Sequence, residues 1–469
     1  IAEGTTTITI KAQGEDEYYR TEIFGENTKT VEVTVVKGEG SISFAEASVE
    51  KYKNDAAFTN PLTIVGDGVV TYESSDPTVA TVNATSGEVT IVGVGTTTIT
   101  ATITDTDEYA YEKKTASYEL SVDPAINLAA LSGDYIAQNG DVLTGTLAGN
   151  YKISIAAGAS VELKDITING VDDEAYKWAG LTCLYDANIT ITGANSVKGF
   201  YEDYPGIQAG PVGTTLTISG TGSLTATGGD DAAGIGSGYD GASCGDITIC
   251  GGTVTASSAG YGAGIGSGYN ASSGAITISG GTVYASSSMD GAGIGSGHKA
   301  SCGDITISGG MVTASSGDWG AGIGSGFSGS SCGNITITGG TVNASSSSYG
   351  AGIGSGFSGS SCGAITISGG TVNANSGQYG AGIGSGSDST FGSITITAGI
   401  TQVQATRNYA TAAWPIGKGF SDNDSGAVSI AGVTVTSKDW DGTGLTDLNF
   451  ATSSTGSNNL TWTLTPKVP

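Results

Sequence analysis

One phrase, close to Gly-Ala-Gly-Ile-Gly-Ser-Gly, occurs six times in the middle of this chain of 469 residues. The central isoleucines of the six copies are Ile235, Ile265, Ile294, Ile323, Ile353 and Ile383. Successive copies lie 29 or 30 residues apart, and most are followed by a loop, an Ile-Thr-Ile phrase, a Gly-Gly step and a Thr-Val phrase. A repeat of this length predicts a solenoid, in which residues one period apart become vertical neighbours.

The strands expected within each repeat are short, rich in β-branched residues and ended by glycine or serine pairs, which argues against helices. Three such strands per turn of about 30 residues predict a parallel β-helix, and we expect right-handed coiling. In Ile-Thr-Ile both isoleucines share one face, so we expect them inside and the threonine outside. The same alternation places the glycines of the repeated phrase outside, as a strip of nearly bare backbone.

A different module precedes the repeats. The phrase Gly-Thr-Thr-Thr-Ile-Thr at residues 4–9 returns at residues 95–100. Short alternating strands around the second copy predict an immunoglobulin-like β-sandwich over residues 38–123. Residues 1–37 match only its C-terminal part, so we expect a truncated module there and a longer parent protein.

The rest of the chain divides into two predicted parts. Irregular coils begin near residue 124, and a last coil with an imperfect repeat ends near residue 436. We therefore assign residues 124–436 to the β-helix. Residues 437–469 are predicted to form a C-terminal cap, because an open last coil would expose unpaired backbone groups. The predicted fold class is therefore all-β, with a right-handed parallel β-helix after an immunoglobulin-like β-sandwich.

Charge and composition restrict the possible partners. The formal net charge is −27, and Arg20 and Arg407 are the only arginines, so nucleic acid is not an expected partner. No apolar run approaches the length of a membrane span. The low charge of the Thr-, Ser- and Gly-rich repeats fits an exported protein, and we expect an extracellular monomer.

Four of the six cysteines share one position of the repeat. They are Cys244, Cys302, Cys332 and Cys362. Stacked coils lie about 4.8 Å apart, which permits a disulfide, but side chains in register point in parallel. We expect buried free thiols that act as small core residues, with disulfides as the alternative. No Cys-Xaa-Xaa-Cys spacing or histidine pair indicates a metal site.

Aromatic residues flank the glycine strip at the repeat spacing, in two columns. The first column contains Tyr261, Trp319, Tyr349 and Tyr379, with Asp290 in place of one ring. The second contains Tyr239, Tyr269, His298, Phe327 and Phe357 and ends at Ser387. We predict a shallow trough with a glycine floor, whose aromatic walls bind the apolar faces of sugar rings. The predicted ligand-binding residues are Tyr261, Tyr269, Trp319, Phe327, Tyr349, Phe357 and Tyr379. Rings that stack only to cover the turns are the alternative.

Residues suited to catalysis are sparse. Glycoside hydrolysis needs two carboxylates around a cleft, yet only Asp246 and Asp304 share a repeat position, roughly 10 Å apart over two coils. The Asp230-Asp231 pair has no histidine or arginine nearby, so we predict that the protein is not an enzyme. We expect the acidic and aromatic insertion at residues 172–204 to plug the early coils, with binding of calcium and a glycan as the alternative. Residues 422–426 partly match a calcium loop, and calcium is the only cofactor considered.

Two segments carry a family resemblance. Thr71-Tyr72-Glu73-Ser74-Ser75-Asp76-Pro77, continuing through Val82 and Ser86-Gly87-Glu88-Val89-Thr90, resembles the bacterial immunoglobulin-like group 2 domains of surface adhesins. Residues 199–207 and the Gly-Ala-Gly-Ile-Gly-Ser-Gly array look like the β-helical regions of large surface proteins from gut and rumen bacteria, some labelled carbohydrate-binding or adhesin-like. The resemblance implies a bacterial cell-surface location and glycan attachment, without transferable functional residues.

These observations lead to one main hypothesis and two alternatives. The main hypothesis is a non-catalytic bacterial surface adhesin or carbohydrate-binding protein, whose partner is a polysaccharide or a glycan of a host or neighbouring cell. The alternatives are a polysaccharide lyase or glycosidase of the β-helix type and a purely structural surface stalk. Ice binding through the outward threonines is a further, minor alternative.

Overall fold

The computed structural model describes residues 4–11, 28–104, 110–408, 414–421, 426–438 and 460–467. The chain divides into two compact units, residues 1–125 and residues 126–469. The regular elements of the described residues are β-strands, apart from one 3₁₀ turn at Leu128–Ala130, so the predicted all-β class is confirmed. Within these residues, no helix is long and apolar enough to cross a membrane.

The first unit is built from antiparallel hairpins and one four-stranded sheet. The sheet contains, in spatial order, Ser48–Tyr52, Lys114–Asp123, Gly95–Ile103 and Val70–Ser74. The two-stranded pairs are Gly4–Lys11 with Thr28–Val35, Ser41–Phe44 with Leu62–Val65, and Ala80–Val82 with Val89–Ile91. Alternate residues of the sheet point inward, and Ile99, Tyr118 and Leu120 form the centre of the core. The repeated phrase at residues 4–9 and 95–100 begins the same kind of hairpin in both places.

The second unit is a parallel β-solenoid, as predicted from the repeat. One side of it, called the glycine sheet here, has eleven strands, one from each successive coil. These strands are Tyr135–Ala137, Ile153–Ile155, Leu181–Cys183, Ile207–Gln208, Ile235–Gly236, Ile265–Gly266, Ile294–Gly295, Ile323–Gly324, Ile353–Gly354, Ile383–Gly384 and Ile416–Gly417. The isoleucines that mark the repeat pair directly with one another from coil to coil.

Two further ladders of parallel strands complete each coil. The Ile-Thr-Ile ladder consists of Ile126–Asn127, Val142–Thr146, Ala159–Ile168, Ala187–Thr192, Thr215–Gly220, Asp246–Ile249, Ile276–Ile278, Ile305–Ile307, Ile335–Ile337, Ser361–Ile367, Thr390–Ile396 and Val428–Ile430. The Thr-Val ladder begins at the end of Ala159–Ile168 and continues with Ala194–Lys198, Ser223–Thr227, Thr253–Ser258, Thr282–Ser287, Met311–Ser316, Thr341–Ser346, Thr371–Asn375 and Gln402–Arg407.

Two sets of shorter elements extend these ladders. Ser272–Ser273, Ser301–Cys302 and Ser331–Cys332 lead into the Ile-Thr-Ile strands, and in Ser361–Ile367 the two segments are one strand. After the last coil, Leu460–Pro466 pairs antiparallel with Gln402–Arg407 and with Val433–Lys438. The described end of the predicted C-terminal cap, Leu460–Pro466, is therefore a strand.

Side chains one period apart stack in register along the solenoid. Ile276, Ile305 and Ile335 follow one another and are fully buried, while the threonines between the isoleucine pairs, such as Thr306, are partly exposed. The predicted inward and outward alternation of this ladder is therefore confirmed. Burial of each isoleucine contributes about 1.5–3 kcal/mol, and every coil repeats this gain.

The cysteine column is also in register. Cys302, Cys332 and Cys362 occupy equivalent positions of adjacent strands, all are buried, and all are free thiols. Hydrogen bonds with the Cys302 and Cys362 thiols, together with burial, hold the pKa of Cys332 well above its ordinary value. The expected free thiols are therefore present, as small members of the core.

Buried serines connect the backbones of successive coils. The serine hydroxyl of each repeated phrase accepts a hydrogen bond from a glycine N–H of the next coil, at 2.8–3.2 Å. The serines are Ser237, Ser267, Ser296, Ser325, Ser355 and Ser385, and none is exposed to solvent. The repeated phrase therefore requires a serine, because a buried backbone N–H without a partner would destabilise the stack.

Candidate functional site

The predicted aromatic residues lie on one corner of the solenoid, where the chain enters and leaves the glycine sheet. The first column, called the outer column from here on, precedes each glycine strand. The second column, called the inner column, follows it. The N–H of an inner residue donates to the carbonyl of the outer residue of the coil below, as from Phe327 to Asp290 and from Phe357 to Trp319, at 3.0 and 2.9 Å. This repeated hydrogen bond holds the two columns side by side.

Ring contacts join the two columns into a single surface, called the aromatic ridge here. Its members are Tyr239, Tyr261, Tyr269, His298, Trp319, Phe327, Tyr349, Phe357, Tyr379 and Phe420. Between columns, the ring centroids of Trp319 and Phe327 are 4.5 Å apart, and those of Tyr349 and Phe357 are 4.8 Å apart. Along the inner column, Phe327 and Phe357 stack at 5.5 Å. All seven predicted ligand-binding residues therefore belong to one continuous ridge.

The prediction of a trough with an open glycine floor is wrong. The glycines beside Ile265, Ile294 and Ile323 are buried, as are those of the other copies. The backbone of the next coil leaves no open space there; a Cβ on Gly264 would meet the N of Ser286 at 2.5 Å and the carbonyl oxygen of Gly293 at 2.6 Å. Strand alternation carries no information about how closely neighbouring coils approach these glycines.

Exposure is uneven along the ridge. Stacked rings cover each other's faces, so most members present only edges to solvent and are half-buried. Tyr239, Trp319 and Phe420 are the most exposed, at 37%, 36% and 39%. Trp319 is inclined by 55° to Phe327 and by 64° to Phe357, so it does not continue the parallel stack. Contact of the seven predicted residues with a ligand stays a prediction.

One coil of the ridge has a hydrogen-bonded aspartate–histidine pair in place of two aromatic residues. Asp290 occupies the outer column and His298 the inner column, and a carboxylate oxygen of Asp290 lies 2.7 Å from Nδ1 of His298. Asp290 is 3% exposed. The imidazole packs against Tyr261, Tyr269 and Phe327, with centroid distances of 4.8–5.6 Å. Its Nε2 is buried and has no hydrogen-bond partner among the described residues.

The outer column continues downward as carboxylates, which sequence reasoning did not find. The carbonyls of Asp203 and Asp231 accept hydrogen bonds from Tyr239 and Tyr269, which is the pattern of the outer column. Burial, followed by the charges of Asp203, Glu202 and Asp230, raises the pKa of Asp231 to about 6, while His298 opposes the shift. Burial also raises the pKa of Asp203. Asp231 lies one period of 30 residues before Tyr261, so the repeat spacing does place it in this column, whereas Asp203 lies 28 residues before Asp231 in a shorter coil.

Two other acidic positions have structural roles. Asp246 and Asp304, which share a repeat position, accept hydrogen bonds from backbone N–H groups of the next coil, those of Ala275 and Asn334, at 2.8 and 2.7 Å. Asn334 does the same for Ala364 at 2.9 Å. Since an amide serves as well as a carboxylate here, the position requires a hydrogen-bond acceptor and no negative charge.

The insertion of residues 172–204 contributes aromatic packing to the early coils. Rings of Tyr176, Trp178 and Phe200 contact one another at 5.4–6.4 Å, and Phe200 is almost fully buried. This packing favours the plug. Among the described residues, no group of three or more acidic, histidine or cysteine side chains converges as a metal site. Residues 422–425 of the proposed calcium loop lie outside the described part.

Comparisons with known proteins agree with the two units. A family model described as the immunoglobulin-like domain of intimin matches residues 63–105. The β-helix repeat model matches residues 216–239, 247–269, 276–298, 305–327, 335–357 and 365–387. A search of curated proteins finds no match. The chain therefore carries an intimin-like immunoglobulin domain followed by a β-solenoid of β-helix repeats.

Proposed function

We propose that this protein is a non-catalytic bacterial surface adhesin, in which the aromatic ridge of the β-solenoid binds glycans. The match to the immunoglobulin-like domain of intimin supports a surface or extracellular location. The ridge is the observation that carries the proposal. It places aromatic rings on one corner of successive coils, with carboxylates at its lower end.

The chemistry of the ridge suits a carbohydrate. Sugar rings combine apolar C–H faces with many hydroxyls, and proteins bind them with aromatic surfaces and a few polar groups. Because stacked rings cover one another, the inclined and exposed Trp319 supplies the main face for stacking. Asp203 and Asp231 supply hydrogen-bond acceptors next to Tyr239 and Tyr269.

Affinity gel electrophoresis against plant polysaccharides and mucin tests the proposal. We expect one or more of these gels to retard the wild-type protein, and Trp319→Ala combined with Tyr349→Ala to abolish the retardation. Tyr284→Ala is the matched control, because Tyr284 is 41% exposed but lies on the Thr-Val ladder, away from the ridge. Equal retardation of all three proteins would exclude the ridge. A wild type that no gel retards would favour the structural stalk.

The carboxylates at the foot of the ridge support a second candidate, a glycosidase. Such enzymes need one carboxyl group that keeps its proton near neutral pH beside another that is ionised. Asp231, with its pKa raised to about 6 next to Asp203 and Glu202, has the first property. Release of reducing sugar from the same polysaccharides, lost in Asp231→Asn, would support catalysis. Absence of any release by the wild type would exclude it for these substrates.

A further inference from the structure

The coil of Asp290 and His298 departs from the Tyr, Trp and Phe rings of the ridge at both of its positions. Its upper neighbours in the two columns are Trp319 and Phe327, and its lower neighbours are Tyr261 and Tyr269. In the outer column, the place directly below Trp319 therefore contains a small carboxylate where the coils above contain rings. Tyr261 and Trp319 are two coils apart, about 10 Å. Trp319 therefore has a carboxylate and no ring below it in the outer column.

The interruption is unfavourable for packing. Asp290 and His298 are buried together, with side-chain exposures of 4% and 12%, in contact with aromatic rings. Transfer of such a pair from water has a large desolvation cost, and well-packed apolar residues at the same place are often equally or more stabilising. The unpartnered Nε2 of His298 adds to that cost. A repeat that departs from its own consensus at such a cost indicates a functional position.

We infer that this coil, together with Trp319, is the specificity-determining subsite for one sugar ring of the bound glycan. The inference rests on the proposed glycan binding. The sugar ring stacks on Trp319 in the place that a ring fills in the coils above, and Met289, which is 41% exposed, forms its flank. The Asp290–His298 pair supplies the polar contacts with sugar hydroxyls. Trp319 moves outward as the sugar enters.

Each part of the subsite matches a property of a pyranose ring. The indole offers a broad apolar surface for one face of the sugar. A carboxylate accepts hydrogen bonds from hydroxyls, and an imidazole both donates and accepts them. In the higher coils Tyr349 and Tyr379 add only phenol hydroxyls, whereas this coil adds a carboxylate and an imidazole that distinguish sugars by the position of their hydroxyls.

A variant that restores the consensus of the ridge tests the inference. Asp290→Tyr with His298→Phe fills both columns with the residues found in neighbouring coils, so it should fold and melt at the same or a higher temperature. Trp319→Ala removes the stacking surface. Tyr284→Ala, which removes an exposed ring on the Thr-Val ladder outside the ridge, is the matched control. Each protein is compared with the wild type by affinity gel electrophoresis on the polysaccharide or mucin gel that retards the wild type most.

The result decides between the subsite and the ridge as a whole. We expect the consensus variant and Trp319→Ala each to weaken binding about tenfold or more, and Tyr284→Ala to stay close to the wild type. Wild-type affinity in a folded consensus variant would overturn the subsite and leave the ridge as a general binding surface. Equal losses in all three variants would overturn it also. Absence of binding by the wild type to every gel would reject the proposed function, and the subsite with it.

Discussion

At the scale of the single residue, burial between stacked coils determines the reactivity of the cysteines. Five of the six cysteines are buried and Cys250 is exposed. Burial raises the pKa of Cys183 and of Cys244 to about 12, so that neither forms a thiolate at moderate pH. We expect an aromatic disulfide reagent at pH 8 to titrate about one thiol in the native protein, Cys250, and all six in denaturant. Fewer than six in denaturant would reveal a disulfide.

Asp304 allows a second prediction at this scale, because the chain contains its own control. The Asp304 carboxylate accepts a hydrogen bond from the N–H of Asn334, and Asn334 has the same role one coil above. We expect Asp304→Ala to lower the free energy of unfolding by about 1 kcal/mol, the usual contribution of such a bond. Asp304→Asn should remain close to the wild type in denaturant melts. Equal losses in both variants would mean that charge matters.

At the scale of the strand, the glycine sheet depends on the absence of side chains. Gly324 has a φ of 138°, and a Cβ there would coincide with the carbonyl oxygen of Gly354 in the next coil. We expect Gly324→Ala to cost about 3 kcal/mol or more, from backbone strain and displaced coils. Gly329 is the control: its φ is 72°, but a Cβ there meets open space, so Gly329→Ala should cost only about 1–2 kcal/mol. Similar thermal unfolding of both variants would contradict this account.

The strands also show how much of the fold and of the candidate site the sequence predicts. A constant period fixes which residues become vertical neighbours, so the isoleucine ladders, the cysteine column and most ring positions followed from it. Where coil length changes, the prediction failed. Ile383 and Ile416 are paired although 33 residues apart, and this longer coil hid Phe420 as the next ring of the inner column. The burial of the glycine strip was missed because it depends on how closely neighbouring coils pack.

At the scale of the whole molecule, the uniform coils build the fold, and the irregular coils carry the carboxylates and the histidine that suit ligand binding. The regular coils satisfy their backbone groups with the same serine and Asp or Asn acceptors, and they repeat the same apolar core. Departures from this pattern cluster on one corner. They include the carboxylates at Asp203 and Asp231 and the pair of Asp290 and His298. One corner therefore combines the charge, exposure and aromatic surface that binding requires.

The carboxylates of this corner make the stability of the molecule depend on pH. Asp231 titrates near pH 6 in the folded chain, above its ordinary value of 3.8, so the folded state binds its proton more tightly than the unfolded state. Stability should therefore increase as the pH falls from 7 through 6, because the cost of the buried charge disappears. We expect the melting temperature to rise between pH 7 and pH 5, and Asp231→Asn to melt higher than the wild type at pH 7 with a weaker dependence on pH. Since the net charge of −27 also shrinks on acidification, the difference between the two proteins is the measurement that isolates Asp231. Identical pH profiles would show that its charge is not buried in the folded molecule.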